Sequence, residues 1–215
     1  MYCFSTFFEK CCLGGSLLDK KEDRRIERTK ESLRKTFKEL VLKYGYSKVK
    51  VKDIVDVANY NRTTFYVHYN GKPELAEEII QLEMERFLYE FCKPVRDNPI
   101  LDLKKMKPDG TDLFSYIKEN RSYYDLLVIE DPVPGMHAAL LEQLKDIFQN
   151  RMTFLGDKAS EINAPYFTHY RAYGIYGFIL EWIREGYDAS PSEMARRIIN
   201  LLHYQSSLMT QIGEE

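Results

Sequence analysis

The stretch from Val51 to Tyr69 constrains the fold more than any other part of this chain. Its first half, VKDIVDVA, spaces apolar residues three and four apart, which predicts a short helix with one buried stripe. Asn59-Tyr60-Asn61 interrupts this pattern, and Asn61 is a good N-cap for a second helix that begins at Arg62. That helix is expected to bury Phe65 and Tyr69. The stripe of the first helix consists of Val51, Ile54, Val55 and Ala58.

The second of these two helices turns a mostly polar face outward. Two short helices joined by a three-residue turn form a helix-turn-helix, and the second helix of such a unit enters the major groove of DNA. The pattern therefore predicts a DNA-binding regulator. The outward residues are Arg62, Thr63, Thr64, Tyr66, Val67 and His68.

Residues 29–75 resemble the DNA-binding domain of the TetR (tetracycline-repressor-like) family of bacterial regulators. The resemblance rests on Gly45-Tyr46, on VKDIVDVA, on RTTFYVHY and on the segment Gly71-Lys72-Pro73-Glu74-Leu75. Two positions depart from the family pattern. Lys50 stands where many members carry Thr, and Asn59-Tyr60-Asn61 stands where many carry Gly-Val-Ser. These departures preserve the helix-turn-helix and leave the operator sequence unpredicted.

The resemblance also implies which residues contact DNA. The positions of Thr64, Tyr66, His68 and Lys72 hold the DNA backbone in the family, and those of Lys52, Thr63 and Val67 lie nearer base edges. The expected partner is double-stranded DNA with a palindromic operator, since a two-fold dimer presents paired recognition helices one DNA turn apart. The full predicted set is Lys50, Lys52, Arg62, Thr63, Thr64, Tyr66, Val67, His68 and Lys72.

Charge divides the chain in the way expected of a DNA-binding head on an acidic body. Residues 20–74 contain 15 Lys and Arg against 8 Asp and Glu, a net charge of +7. The whole chain carries −2, so the other residues sum to −9. A basic surface neutralises phosphates and releases counterions, and affinity for DNA should therefore fall steeply with salt.

The signals along the rest of the chain are helical, and the predicted class is all-α. The first helix is expected from Lys21 or Arg24 to Lys43, with Ile26 on its buried face, and the helix that Pro73 opens is expected to end at Pro94. Three segments follow: a disordered leader at 1–19, a helix-turn-helix head at 20–72, and a helical effector-binding and dimerisation body at 73–215.

The body is predicted to contain four helices after a linker at 96–110. The last opens with Ser190-Pro191-Ser192-Glu193, the pattern of a capping box with proline at the first helical position. The other three are expected from Thr111 to Leu127, from Met136 to about Leu155, and from Pro165 to Glu185, where Gly186 ends the helix.

The helix at 165–185 is crowded with aromatic residues and interrupted by two glycines. Mid-helix glycines cost about 1 kcal/mol each relative to alanine, so they fit a position where another helix approaches closely. The TetR resemblance implies a homodimer in which the last two helices pair with their symmetry mates. The predicted interface residues are Tyr173, Gly174, Gly177, Phe178, Ile198 and Leu202.

The resemblance further implies a small-molecule effector, of unknown identity, that binds between body helices. Ligand pockets are mostly apolar with a few polar groups, which makes the body's aromatic residues candidates. The plainer alternative for such residues is core or interface packing. The candidates are Tyr123, Tyr124, His137, Phe148, Tyr170 and Tyr173.

Catalytic, metal and membrane functions find no support in the sequence. It lacks a glycine-rich phosphate loop, a G-x-S-x-G elbow and an H-E-x-x-H pair, and its four histidines have no metal-ligand spacing. No apolar run approaches the roughly 18 residues that span a bilayer. The four cysteines form no C-x-x-C pair and fit a reducing cytoplasm. We expect a cytoplasmic protein with no enzymatic activity, cofactor or metal.

Two functions of different kinds remain open at this point. The first is a homodimeric transcriptional regulator, a repressor, whose DNA affinity responds to an effector. The second is a TetR-like adaptor or co-activator that acts mainly through a protein partner, a mode known in the subgroup that the C-terminal half resembles more loosely. The two differ in whether Thr64, Tyr66 and Lys72 are needed for function.

Overall fold

The computed structural model describes residues 17–97, 112–151 and 164–203, and their side chains within 24–94, 113–151 and 165–201. These residues contain nine α-helices and no strand, which confirms the all-α prediction. A 3-10 turn at Asp125–Leu127 and a π-helical turn at Ile147–Arg151 complete the elements. The helices are α1 (Leu17–Tyr44), α2 (Val51–Ala58), α3 (Arg62–His68), α4 (Lys72–Asp97), α5 (Asp112–Glu119), α6 (Arg121–Tyr124), α7 (Met136–Asp146), α8 (Ala164–Arg184) and α9 (Pro191–His203).

The head is a three-helix unit onto which the first turn of α4 packs. Its core is apolar and closed: the side chains of Phe37, Ile54, Phe65 and Leu75 are fully buried. The predicted stripe on α2 is confirmed, since Val55 is buried beside Ile54 and the two end residues of the stripe pack against the core.

The body is built on α4, which passes from the head into it and contacts both α5 and α7. Trp182 of α8 anchors the far end. Its ring lies 5.5 Å from Phe114 and 5.0 Å from Tyr187, and its indole N–H donates to the Ala189 carbonyl at 3.0 Å. Because this side chain is buried and its one donor is satisfied, it fixes how α8 turns into α9. No described helix has both the length and the apolar character needed to cross a bilayer.

Three predicted features of the long helices are wrong. α1 begins at Leu17, earlier than expected, and Ile26 is 41% exposed because the buried face of α1 begins only at Thr29. α4 continues past Pro94 to Asp97. A proline in the last helical turn removes one backbone donor and leaves few later bonds to disturb, so the helix tolerates it there.

The body helices also differ from their predicted bounds. The helix expected from Thr111 to Leu127 is broken at Asn120, where α5 gives way to α6 and the 3-10 turn. α7 ends its regular winding at Asp146, and the π-helical turn follows. Residues 1–16, 98–111, 152–163 and 204–215 lie outside the described residues, and they include most of the predicted leader at 1–19 and of the predicted linker at 96–110.

The capping box predicted at the start of α9 is confirmed for one of its two hydrogen bonds. The Ser190 hydroxyl accepts a hydrogen bond from the Glu193 N–H at 3.2 Å. The Glu193 carboxylate does not return to Ser190, because it pairs with Arg196 and Arg197 at 2.6 and 2.8 Å. A single hydroxyl cap therefore opens this helix.

Truncating Leu140, a 1% exposed residue of α7, tests the body core. We expect Leu140→Ala to lower the free energy of unfolding by about 2–5 kcal/mol, since it removes buried apolar surface and leaves a cavity. Urea denaturation measures this. The control is Val57→Ala at a 59% exposed position, expected within about 0.5 kcal/mol of wild type. Equal losses in the two variants would contradict the described packing.

Candidate nucleic-acid interface

The second helix of the helix-turn-helix, α3, is held at its start by Asn61. The Asn61 side-chain oxygen accepts from the Thr64 N–H at 2.7 Å and from the Thr64 hydroxyl at 2.9 Å. The predicted N-cap is therefore confirmed. The turn before it ends α2 at Asn59, whose left-handed backbone (φ 58°) asparagine tolerates better than most residues.

At the start of α2, Lys50 replaces the hydroxyl residue that many TetR members carry. Its ammonium side chain has no acceptor to offer, so the helix start relies on the reverse bond. The Lys50 N–H donates to the Asp53 carboxylate at 2.8 Å. The Lys50 side chain is thus left exposed at the start of α2.

The predicted DNA-contacting residues lie on α2, on α3 and at the start of α4. Val67 is 72% exposed and Tyr66 is 55% exposed, which is unusual for side chains with so much apolar surface. Thr64, His68 and Lys72 are half-buried. The other members of the set, all exposed, are Lys50, Lys52, Arg62 and Thr63.

Lys72 is held in place by the turn between α1 and α2. Its ammonium donates to the Tyr46 carbonyl oxygen at 2.7 Å and lies 3.8 Å from the centre of the Tyr46 ring. Burial lowers the pKa of Lys72, and the negative charge of Asp131 opposes that change. The side chain therefore has a defined position before any ligand arrives.

A carboxylate that sequence reasoning missed, Glu78 of α4, ties the end of α3 to α1. It accepts from Lys30 at 2.5 Å, from Arg34 at 2.7 Å and from the Tyr69 hydroxyl at 2.8 Å. Burial would raise the pKa of Glu78, but the bonds from Lys30, Arg34 and Tyr69 outweigh it and hold the pKa below its usual value. One side chain thereby fixes three helices of the DNA-facing unit.

A second residue missed from the sequence, Asp131, lies in the loop before α7. Its carboxylate accepts from the Ser47 N–H at 2.6 Å, and its carbonyl accepts from the Tyr46 N–H at 2.9 Å. Nothing local in the sequence indicates this contact, because Asp131 and Ser47 lie 84 residues apart.

The six predicted effector residues do not line one common space. Tyr123 and Tyr124 are buried in the core near Glu83, while Tyr170 and Tyr173 are 76% and 54% exposed on α8. The two others lie elsewhere in the body. His137 bonds the Tyr176 hydroxyl at 2.7 Å, and the buried Phe148 contacts the Phe91 ring at 5.9 Å.

An open cleft of about 490 Å³ lies between α4 and α7, and none of the six predicted effector residues lines it. Its floor contains Ile80 and Met84. Its charged residues are mainly acidic, with one cation, Arg151, bonded to Asp146 at 2.5 Å. The acidic residues are Glu77, Glu142 and Asp146.

The predicted dimer residues lie on two helices, α8 and α9. Gly174 and Gly177 are exposed, and Phe178 and Ile198 are half-buried. Tyr173 lies on the same exposed side of α8, and the side chain of Leu202 is outside the described residues.

The Glu78 network predicts a pH-dependent stability. In the unfolded chain this carboxyl titrates near 4.5, and in the folded head its pKa is lower, so its contribution is full above 4.5 and disappears as the pH falls through the folded value. We expect Glu78→Gln to lower the free energy of unfolding by about 1–2 kcal/mol near neutral pH.

Denaturation of wild type and Glu78→Gln at neutral and at acidic pH measures this. The difference between the two proteins should shrink as the pH falls below the ordinary carboxyl range. Glu85→Gln, a change at an exposed α4 carboxyl, is the control. A difference that stays constant with pH would contradict the role of the Glu78 charge.

Comparison with known proteins follows the same division of the chain. Residues 36–79 match the family model described as bacterial regulatory proteins, tetR family. Residues 104–204 match the model described as transcriptional regulator C-terminal region of the TetR type. The two matches cover the helix-turn-helix and most of the body.

Two relatives are similar over most of this chain. The HTH-type transcriptional regulator YxbF of Bacillus subtilis is 28% identical over 207 residues, which are 93% of this chain and 51% of YxbF. The chain thus spans about half the length of that relative. The HTH-type dhaKLM operon transcriptional activator DhaS of Lactococcus lactis is 26% identical over 180 residues, or 81% of this chain and 88% of DhaS.

Solved structures share the fold at low sequence identity. A TetR transcriptional regulator from Streptococcus agalactiae superposes with a TM-score of 0.60 at 18% identity, covering 86% of this chain and 98% of that one. The structure of DhaS gives 0.53 at 22% identity, with 81% and 93% covered. Together with the family matches and the capped helix-turn-helix, these similarities show that the chain belongs to the TetR family of DNA-binding transcriptional regulators.

Proposed function

We propose that the protein is a homodimeric repressor that binds a palindromic operator and releases it when a small molecule binds the body. The observation that carries this proposal is the exposed outer face of α3, on a helix capped by Asn61 and anchored by Phe65. An α-helix fits the major groove, where base edges can be distinguished.

The predicted DNA-binding residues are proposed to make two kinds of contact, with base edges and with phosphates. Thr63 and Val67, with Lys52 of α2, are proposed to reach base edges, and the apolar Val67 suits a thymine methyl group. Contacts to phosphates fix the register without reading sequence. We assign these to Lys50, Arg62, Thr64, Tyr66, His68 and Lys72.

The dimer proposal is supported by an uncovered aromatic face on α8. Tyr166 and Tyr170 are 75% and 76% exposed, and Leu201 of α9 is 57% exposed. Apart from the backbone of α8 itself, no atom of the described residues lies within 4 Å of a Cβ added at Gly174 or Gly177, so no neighbour in the described part of the chain requires these glycines. A partner helix packed on the same face would account for both observations.

Effector control is proposed to act through the body. One buried hydroxyl there, that of Tyr123, has no hydrogen-bond partner within the described residues. Buried polar groups are normally paired, so this hydroxyl is suited to a ligand with a hydrogen-bonding group or to an ordered water. A ligand controls DNA affinity only by its differential affinity for the DNA-competent and DNA-incompetent states.

A second function is favoured by the similarity to DhaS, a transcriptional activator. In this alternative the protein is an adaptor or co-activator that acts mainly through a protein partner. The discriminating change is the triple variant Thr64→Ala/Tyr66→Ala/Lys72→Ala in a reporter strain. Loss of regulation supports direct DNA binding, and unchanged regulation supports the adaptor.

The test of the main proposal is gel-shift binding of the purified protein to DNA flanking its own gene, at two salt concentrations. A discrete band that survives excess non-specific competitor is expected, and its intensity should fall with salt. A promoter fusion in cells with and without the protein then gives the sign of regulation. Absence of a specific band would favour the adaptor.

Lys72→Ala tests the proposed phosphate contact. We expect weaker binding to all DNA sequences alike and a salt slope reduced by about one unit, because one phosphate loses its cation. Fluorescence anisotropy over a salt series measures both. Lys43→Ala, which removes an exposed lysine of the head outside the proposed interface, is the matched control. An unchanged salt slope in Lys72→Ala would contradict the proposed contact between Lys72 and a phosphate.

Gly177→Glu tests the proposed dimer face. A buried carboxylate without a partner is costly, so the variant is expected to be monomeric in size-exclusion chromatography with light scattering. Ala138→Glu introduces the same charge at an exposed position of α7 and should leave the mass unchanged. A Gly177→Glu dimer as stable as wild type would rule out this interface.

A further inference from the structure

We propose that Asp131 is a positioning residue for DNA binding: it holds the turn Gly45–Ser47 so that Lys72 is presented to a phosphate. The inference rests on the proposed DNA-binding function and adds a residue from the body to it. Asp131 lies in the loop between the 3-10 turn and α7, distant in sequence from the recognition helix.

Three hydrogen bonds join Asp131 to the turn. Its carbonyl oxygen accepts from the Tyr46 N–H at 2.9 Å, and its carboxylate accepts from the Ser47 N–H at 2.6 Å and from the Ser47 hydroxyl at 3.1 Å. The backbone N–H groups of Tyr46 and Ser47 are therefore both satisfied by one residue of the body. Such paired, charge-assisted bonds define the orientation of the peptide groups that make them.

Gly45 makes this contact possible on two separate grounds. Its backbone is left-handed, with a φ of +83°, which is the conformation that ends α1. A Cβ at this position would lie 2.7 Å from one carboxylate oxygen of Asp131 and 2.9 Å from its Cβ. By contrast, Gly186 has a φ of +70°, and no atom that the structure describes lies within 4 Å of a Cβ added there.

A single peptide group connects Asp131 to Lys72. The peptide between Tyr46 and Ser47 donates its N–H to the Asp131 carboxylate and accepts the Lys72 ammonium at its carbonyl oxygen, at 2.6 and 2.7 Å. A negative charge at the N–H end and a positive charge at the C=O end both align with the peptide dipole. Bonds arranged in series polarise and strengthen one another.

The consequence for DNA binding is a lysine that is already ordered. The ammonium has three hydrogens, and the Tyr46 carbonyl takes one, which leaves two for a phosphate. A long side chain held before binding loses less conformational entropy when it binds. Without Asp131 the backbone bond that still holds the Tyr46 carbonyl is the one from the Val49 N–H, at 3.3 Å, so the carbonyl and Lys72 are less well ordered before DNA binds.

A double-mutant cycle tests this coupling. Anisotropy titrations with the operator DNA compare wild type, Asp131→Ala, Lys72→Ala and the double variant, over a salt series. We expect Asp131→Ala to weaken binding about tenfold, the size of one charge-assisted bond, and to reduce the salt slope. In the Lys72→Ala background, Asp131→Ala should have little further effect, because Asp131 acts on DNA binding through the Lys72 side chain.

Each other outcome of the cycle is decisive. Specific binding that Asp131→Ala leaves unchanged would overturn the inference alone, as would an effect that adds in full to that of Lys72→Ala. Absence of specific binding by wild type would overturn the proposed function and this inference with it. Asp131→Asn keeps an acceptor for Ser47, and it therefore serves as the second variant if Asp131→Ala fails to fold. We expect intermediate affinity, and affinity equal to wild type would refute the role of the charge.

Two glycine variants form a matched pair that leaves Asp131 itself intact. Gly45→Ala and Gly186→Ala place a side chain on backbones of similar left-handed conformation, but only the first displaces the Asp131 carboxylate. Gly45→Ala should therefore weaken DNA binding about as much as Asp131→Ala, and Gly186→Ala should not. Equal DNA affinity of the two glycine variants would contradict the inference.

Discussion

A helix of seven residues cannot remain folded through its own hydrogen bonds, and the rest of the head is organised around that constraint. Burial of Phe65 secures one side of α3, and the Asn61 side chain accepts a hydrogen bond from the Thr64 amide in its first turn. Glu78 then joins the Tyr69 hydroxyl at its end to α1 and α4. The surface offered to DNA is therefore positioned by tertiary contacts, and any change in α4 reaches it directly.

Local features of the head were predictable because their causes lie within a few residues. The stripe on α2 and the Asn61 cap need only helical spacing and one side chain. The Glu78 network was not predictable, since its partners on α1 lie 44 and 48 residues away. The contact between Asp131 and Ser47 spans 84 residues. The exposure of Ile26 likewise depends on where the neighbouring helices stop, and the periodicity of a single helix carries no information about that.

In the body, helical periodicity does not identify what covers a buried or half-buried aromatic residue. An aromatic residue at helical spacing predicts that something covers it, without indicating whether that is the core, a ligand or a second chain. Tyr123 is enclosed by its own protomer, whereas Tyr173 on the α8 face is half uncovered. The assignments to effector and dimer therefore remain predictions, while the family and the fold follow from the matched segments and the described helices.

The π-helical turn at the end of α7 has a consequence for the cleft beside it. Residues five apart lie on different sides of an α-helix, but wider winding brings Arg151 back onto Asp146, at 2.5 Å. The turn acts as a one-residue insertion in α7. A chain shortened by one residue between Asp146 and Arg151 would wind as a regular helix with the two residues four apart on one face, so the ion pair beside the cleft would survive the deletion.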